Sequence, residues 1–313
     1  MGLRHWERYY RTGAVASCPL GPRGEYTQEL RGVWEAFFAA LPDGASMLDV
    51  GTGNGAVALI ARETALSLGR HFEIHATDLA QIDPLRDVHE GARRFGDIRF
   101  HPNVATEHLP FGGGTFDAVS GQYALEYTAV DQSLREIGRV LKPGGQALFI
   151  LHHAQSIVAC KARESLQQSS LVLEQTKVFR KLRSHIQGWQ RSQAVARKTL
   201  AELAQAIDTL RDAARQLQDP LTLDVSIDAV SKLLAARGEL SPAALDREIT
   251  GVEEDVRAST RRLQDLIRYA RTDADMQGIA AHAADAGLEI RELALQHHAG
   301  DRLVGWRLRL ARP

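Results

Sequence analysis

Apolar residues at Leu30, Val33, Trp34, Phe37, Phe38 and Leu41 step by three and four, which predicts a helix from Thr27 to Leu41 that Pro42-Asp43-Gly44 then stops. A short apolar run, Ser46 to Val50, follows and ends in Gly51-Thr52-Gly53-Asn54-Gly55, after which Ala56 to Leu68 is helical in character again. The order is strand, glycine turn, helix. Further strands are expected at Phe72 to Thr77, closed by Asp78, and at Ile98 to His101, Phe116 to Ser120 and Gln146 to Leu151. A helix around Ser133 to Leu141 and a Lys142-Pro143-Gly144-Gly145 turn precede the last of them. Strands alternating with helices require crossover connections, hence a parallel sheet covered on both faces.

The alternation stops after His153. From about Ala154 to Thr272 the chain is poor in Gly and Pro and rich in Ala, Gln, Leu and Arg, all but uniformly helix-forming. Within it Leu200, Leu203, Ile207, Leu210, Ala214 and Leu217 form one apolar seam; Leu245, Ile249, Val252, Val256, Leu263, Leu266 and Ala270 form a second. Breaks at Asp219-Pro220 and Ser241-Pro242 separate them, so helices packed side by side in coiled-coil fashion are expected. Asp275 to Ala286 then reads as a helix, and Leu288 to Leu295 and Leu303 to Ala311 as strands joined through His298-Ala299-Gly300-Asp301. So short a link makes that pair antiparallel. The expected segments are 1–26, an N-terminal lid or substrate segment; 27–153, a ligand-binding α/β core; 154–272, a helical insertion; and 273–313, the core's last helix and strand pair.

A chain of 313 residues is long enough for one large α/β domain plus such a module. A net charge of -1 argues against a surface-wide field for nucleic acid. Cys18 and Cys160 are the only cysteines, too few for a disulfide framework or a cysteine-built zinc site, and no metal site is expected. The N-terminus lacks the apolar run of a signal peptide, and no stretch approaches the roughly 18–20 apolar residues that span a bilayer; the expectation is a cytoplasmic protein without a membrane partner.

Glycines where a buried strand becomes a helix let backbone N–H groups approach a ligand closely. By themselves they leave the ligand open, since Gly51-x-Gly53-x-x-Ala56 also satisfies a dinucleotide fingerprint and Asp78 suits an NAD ribose equally well. Three further features bear on the choice. Asp49 stands two residues before the first glycine, where a carboxylate organises the turn and reaches an ammonium group. Leu109-Pro110-Phe111, then Phe116-Asp117-Ala118-Val119, then Leu141-Lys142-Pro143-Gly144-Gly145 form a recurrent order, and the chain ends in an antiparallel pair.

In this order the chain resembles the class I S-adenosylmethionine-dependent methyltransferases, in particular the ubiquinone/menaquinone-biosynthesis (methyltransferase type 11) kind, over about residues 30–153 and 275–311. The resemblance implies a Rossmann-like, seven-stranded, mostly parallel sheet with a terminal antiparallel hairpin, here carrying the α-helical insertion after the fifth strand. It implies S-adenosylmethionine as cofactor and S-adenosylhomocysteine as product. Asp49, Gly51, Gly53 and Gly55, with Thr52 and Asn54 between them, would line the methionine side; Asp78 would hold both ribose hydroxyls, Leu79 would flank the adenine, and Gln122 would lie near the sulfonium. Where the family often has Asp-Ala before the Leu-Pro-Phe turn, this chain has Ala105-Thr106, so Thr106 or backbone groups must replace a carboxylate contact to the adenine.

Methyl transfer is an in-line displacement from an activated donor, so alignment supplies much of the rate and a base is needed only when the acceptor carries a proton. His153, beside His152 where the fifth strand ends, is the first candidate base, against the alternative that one points into the fold and the other bonds the insertion. Tyr123, Glu126 and Tyr127 follow the fourth strand and are pocket candidates, Tyr123 being the second catalytic candidate. Trp6, Tyr9 and Tyr10 either fold over the ligands, as the resemblance implies, or pack one helix face.

Between Lys161 and Lys198 nine basic residues, Arg183 and Arg191 among them, face two acids, a local excess suited to RNA, a carrier protein or an anionic small substrate, or else a solvated helix face. Three functions stay open: a small-molecule methyltransferase whose insertion caps the pocket or forms a homodimer, an RNA or protein methyltransferase docking through the basic helix, and a non-catalytic cofactor-binding scaffold.

Overall fold

A computed structural model describes residues 3–18, 26, 28–189 and 192–313; Thr27, Arg191 and parts of the expected N-terminal segment (1–2 and 19–25) lie outside the described residues. The chain divides into two compact units, Met1–Cys160 with Leu266–Pro313, and Lys161–Asp265.

The first unit is built on seven strands: β1 (Ser46–Val50), β2 (Glu73–Asp78), β3 (Arg99–Pro102), β4 (Phe116–Gln122), β5 (Leu141–Leu151), β6 (Glu289–His298) and β7 (Arg302–Ala311). Their order is β3-β2-β1-β4-β5-β7-β6, with β1 to β5 parallel and β7 antiparallel to both neighbours. This is the Rossmann-like sheet with a terminal hairpin that the sequence implied. Helices α1 (Arg4–Tyr10), α2 (Gln28–Ala39), α3 (Ala56–Ser67), the short α4 (Pro84–Asp87) and α5 (Gly91–Phe95), α6 (Val130–Val140) and, near the end of the chain, Asp273–Asp285 belong to the same unit.

Strand residues alternate between faces. Met47, Ile74, Ala76, Ala118, Leu148 and Ile150 join Leu30, Trp34 and Phe38 of α2 and Val57 to Ala61 of α3 in one core. Leu48, Val50, Val119, Phe149 and Leu151 join Leu134 and Ile137 of α6 and Met276 and Ile279 of the late helix in the other.

One element differs from the sequence expectation. Lys142 to Gly145 is the irregular start of β5 rather than a separate turn: Gly144 has φ 79°, and its N–H donates to the Arg312 carbonyl while the Arg312 N–H donates to that of Gly145. Those bonds come from residues far along the chain and leave no local signal.

The insertion starts and returns through a stitched stem. The Arg271 N–H donates to the His152 carbonyl at 2.8 Å and the Ala154 N–H to the Arg271 carbonyl at 3.0 Å, and His153 pairs with Arg271 in a single parallel bridge.

Beyond it come α7 (Ile157–Ser170), α8 (Val178–Trp189), α9 (Gln193–Ala214), α10 (Leu221–Ala235) and α11 (Pro242–Tyr269), so the last helix of the first unit is α12. The breaks fall where Pro220 and Pro242 put them. In the second unit's own core Leu203, Ile207 and Leu210 of α9 pack with Leu245, Ile249 and Val256 of α11, Leu223 and Val230 of α10, and Phe179 and Leu182 of α8. Leu200 and Leu217, at the ends of the first seam, are exposed.

Candidate functional site

The carboxyl ends of β1, β2 and β4 meet where the strand order reverses, the crevice in which open α/β sheets hold ligands. Gly53 sits there at φ 54°, and a Cβ on it would lie 2.7 Å from the Tyr10 ring, so neither the conformation nor the space admits a side chain. Asp78 bridges the turn: one carboxylate oxygen accepts from the Gly53 N–H at 2.7 Å, the other from the Ala80 N–H at 2.8 Å. Asp49 accepts from the Thr52 hydroxyl at 2.6 Å and the Ser120 hydroxyl at 2.7 Å. Burial pushes Asp49 up to about 7 and Asp78 up to about 6, a cost that hydrogen bonds to the ionised forms only partly offset.

At the end of β4, Gln122 is buried and accepts a hydrogen bond on its Oε1 from Trp34 Nε1 at 2.5 Å. Tyr123 follows with φ 54°, a conformation that costs a non-glycine residue about 1–3 kcal/mol where it is strained and that gathers at functional sites. Its ring stacks on His152, 3.9 Å between centroids, and its hydroxyl donates to the Val304 carbonyl at 3.0 Å. Burial raises its pKa well above the ordinary value. Glu126, fully buried, accepts from the His152 backbone N–H at 2.6 Å, while its Oε2 and the His152 Nδ1 have no hydrogen-bond partner among the described residues. Burial lifts Glu126 to about 7 and drives His152 down to about 3, so the imidazole is neutral. Arg271 Nη2 donates to the Glu126 carbonyl at 2.6 Å and brings a positive charge beside this pair.

Helix α1 lies against the glycine turn. The Tyr10 ring covers Gly53 and packs on Ala80 and Ile82, and Trp6 meets Tyr127 edge-on at 5.8 Å. Asn54 fastens the arrangement, its Nδ2 donating to the carbonyls of Tyr10 and Ala14 at 2.8 Å each. Under this cover a cavity of about 30 Å³ remains, lined among others by Asp49, Thr52, Gln122, Tyr123 and Tyr26.

Asp49, Gly51, Thr52, Gly53, Gln122, Tyr123 and Tyr10 thus share one cleft; Asp78 is bonded to its glycine turn, and Asn54, within the turn, bonds the carbonyls of Tyr10 and Ala14. Leu79 is exposed beyond Asp78; Ala105 and the buried Thr106 follow β3, after Val104, whose N–H donates to the Asp78 carbonyl. The Tyr9 hydroxyl donates to the Ala16 carbonyl at 2.8 Å. His153 is placed apart from the cleft: it packs on Trp306 at 4.8 Å, on the opposite sheet face, and its Nδ1 accepts from the Gln155 N–H. Consecutive strand residues alternate, so His152, in phase with Leu148 and Ile150, takes the cleft side. Trp34 and Arg271 were not singled out from the sequence. Trp34 reads there as one more apolar helix position, and Arg271 approaches Glu126 across 145 residues, which leaves no signal.

Among the described residues no group of three or more His, Cys, Asp or Glu side chains could hold a metal ion. No helix among them is long and apolar enough to cross a membrane.

Residues 48–149, which include Asp49, the three glycines, Asp78 and Gln122, match the family model described as a methyltransferase domain. Among curated proteins, the uncharacterized methyltransferase YcgJ of Bacillus subtilis (strain 168) is 30% identical over 115 residues, 34% of this chain and 41% of that protein. The ubiquinone/menaquinone biosynthesis C-methyltransferase UbiE of Bordetella parapertussis is 34% identical over 128 residues, 39% of this chain and 47% of that one. The chain therefore spans less than half the length of these relatives. The crystal structure of YcgJ aligns over 90% of this chain and 94% of its own at 16% identity, with a TM-score of 0.36.

Proposed function

We propose that the first unit binds S-adenosylmethionine and transfers its methyl group to a small-molecule acceptor, releasing S-adenosylhomocysteine. The observation that carries this reading is the Asp49, Gly53, Asp78 and Gln122 set at the switch point of the sheet, inside the segment that matches a methyltransferase domain. Asp78, its carboxylate already oriented by two backbone N–H groups, is suited to a ribose diol, and Asp49 to an ammonium. When bound, the sulfonium would supply an electrophilic methyl carbon. Asp49, Gln122 and the glycine turn would hold the cofactor on one side and Asp78 on the other, leaving the acceptor to be aligned by the cleft. Where the acceptor carries a proton, Glu126, with one unpartnered oxygen and a carboxyl poised at about 7, fits proton removal better than His153. The Tyr10 ring of α1 covers Gly53, so α1 is the element beside which a nucleoside would have to fit.

Docking of RNA or of a carrier protein through the basic stretch has less support. Arg183 is committed within the second unit to Asp246, Thr250 and Glu253, and Lys161 to Asp219. A homodimer through the helical unit belongs to the same proposal and is tested by sedimentation. For the cofactor, calorimetry with S-adenosylhomocysteine should give a clear isotherm, and NAD none; the reverse result would end the assignment. For the acceptor, methyl transfer from labelled cofactor should be insensitive to salt, whereas an RNA acceptor would lose binding steeply as salt rises.

A further inference from the structure

Trp34 and Gln122 form a directional pair that the fold alone does not require. An indole nitrogen can only donate, so Gln122 must turn its carbonyl oxygen toward Trp34, and its Nε2 points the other way. That Nε2 is buried and has no hydrogen-bond partner among the described residues, although buried amide donors are seldom left unpaired. Gln122 lines the small cavity under α1, and Asp49 lines the same cavity. Asp49 pairs in register with Ser120, two residues before Gln122 on the adjacent strand and on the same face. A buried N–H donor and a carboxylate thus line one cavity from adjacent strands, offset by two residues along the sheet. An α-amino acid head group offers a complementary charge to each: ammonium to Asp49, carboxylate to the Gln122 N–H₂.

We propose that Trp34 is a positioning residue that locks the Gln122 amide so that its N–H₂ receives the carboxylate of the methionine moiety. This rests on the cofactor reading above and deepens it. The sequence resemblance put Gln122 near the sulfonium; the hydrogen-bond polarity moves its task to the amino-acid end, and Trp34 enters the site through it.

Two ligands separate this role from a structural one. S-adenosylhomocysteine carries the amino-acid head, and 5′-methylthioadenosine shares the nucleoside and a thioether but lacks the head. Calorimetry on the full chain should find that Trp34→Phe weakens S-adenosylhomocysteine about tenfold, the worth of one hydrogen bond to a charged group, and leaves methylthioadenosine within about twofold. Gln122→Glu, which sets a carboxylate against a carboxylate, should weaken S-adenosylhomocysteine more and again spare methylthioadenosine. The double variant should be no weaker than Gln122→Glu alone, because Trp34 acts through Gln122. Equal losses for both ligands, or no loss for either, overturn the proposal. If Trp34→Phe does not fold, Gln122→Met removes the donor without adding charge and must show the same selective loss. A wild-type protein that binds neither ligand refutes the cofactor reading itself, whereas binding of both with equal affinity refutes only the head-group contact.

Discussion

The core rim of the helical unit and the cleft of the α/β unit carry carboxylates in opposite ways. In the helical unit, Lys161–Asp265, charged groups sit at the rim of a dry seam and are answered by partners: Arg183 reaches Asp246 and Glu253, and Glu253 also receives Arg257. Partial burial pulls the Glu253 carboxyl upward, but the hydrogen bonds and charges of Arg257 and Arg183 outweigh it and hold the group below its ordinary range. In the cleft of the α/β unit, Asp49, Asp78 and Glu126 are buried with hydrogen bonds and, among the described residues, no salt bridge, and all three are pushed up. Arrangement for stability lowers carboxylate pKa values. Burial in the cleft raises them, because desolvation outweighs the hydrogen bonds made there.

The harshest test of this contrast removes Asp78. Asp78→Ala takes away both the ribose acceptor and the group that bridges Gly53 and Ala80, and S-adenosylhomocysteine affinity should fall by about 100-fold or more, two charge-assisted hydrogen bonds' worth, read by calorimetry. Unchanged affinity would detach the ribose from this carboxylate.

Asp49 offers a sharper comparison because affinity and stability should move in opposite directions. Its ionised form receives the ammonium, so cofactor affinity should rise with pH through about 7 and level off above, and Asp49→Asn should abolish that dependence. Its folded pKa lies above the ordinary 3.8, so the native state binds the extra proton between about 4 and about 7. Stability is therefore lost as pH rises through that window. Asp49→Asn should then stabilise the protein by roughly 1–3 kcal/mol at pH 7.5 and by little at pH 4, measured by denaturant titration.

Glu253 carries the opposite sign. Its depressed pKa adds stability above the ordinary carboxyl range, and that stability is lost as pH falls through the folded value. Arg183→Ala should destabilise the helical unit by about 1–2 kcal/mol near neutrality and leave S-adenosylhomocysteine affinity untouched. A loss of affinity there would link the units energetically.

How much of this was legible depends on whether the cause is local. The glycine turn, Asp49 and Asp78 announce themselves because strand, turn and helix must follow one another in the chain. The proline breaks at Pro220 and Pro242 are equally local. The separation of His152 from His153 was also readable, since the phase of Leu148 and Ile150 fixes which imidazole faces the cleft. The start of β5, the approach of Arg271 to Glu126 and the bond from Trp34 to Gln122 depend on partners brought by topology, and no window of sequence holds both ends. Asn54 shows a third case. Its position in the glycine turn is plain, yet its side chain serves the carbonyls of Tyr10 and Ala14.

The smallest expected effect lies where the chain re-enters the sheet unit. Thr272 and Asp275 form a reciprocal cap on α12, and Thr272→Ala should cost about 1 kcal/mol in a denaturant titration with no change in ligand affinity.

Just before that cap, the backbone bonds between His152, Ala154 and Arg271 close the excursion at its root. Pinned ends change the economics of length: the entropy of closing a loop grows only with the logarithm of its size, about 0.6 kcal/mol for each doubling. A module as long as five helices therefore burdens the sheet scarcely more than a short connection would. Its sequence is free to lengthen, shorten or diverge while β5 and β7 keep their register, and the place to exchange one such module for another is the peptide on either side of that bridge.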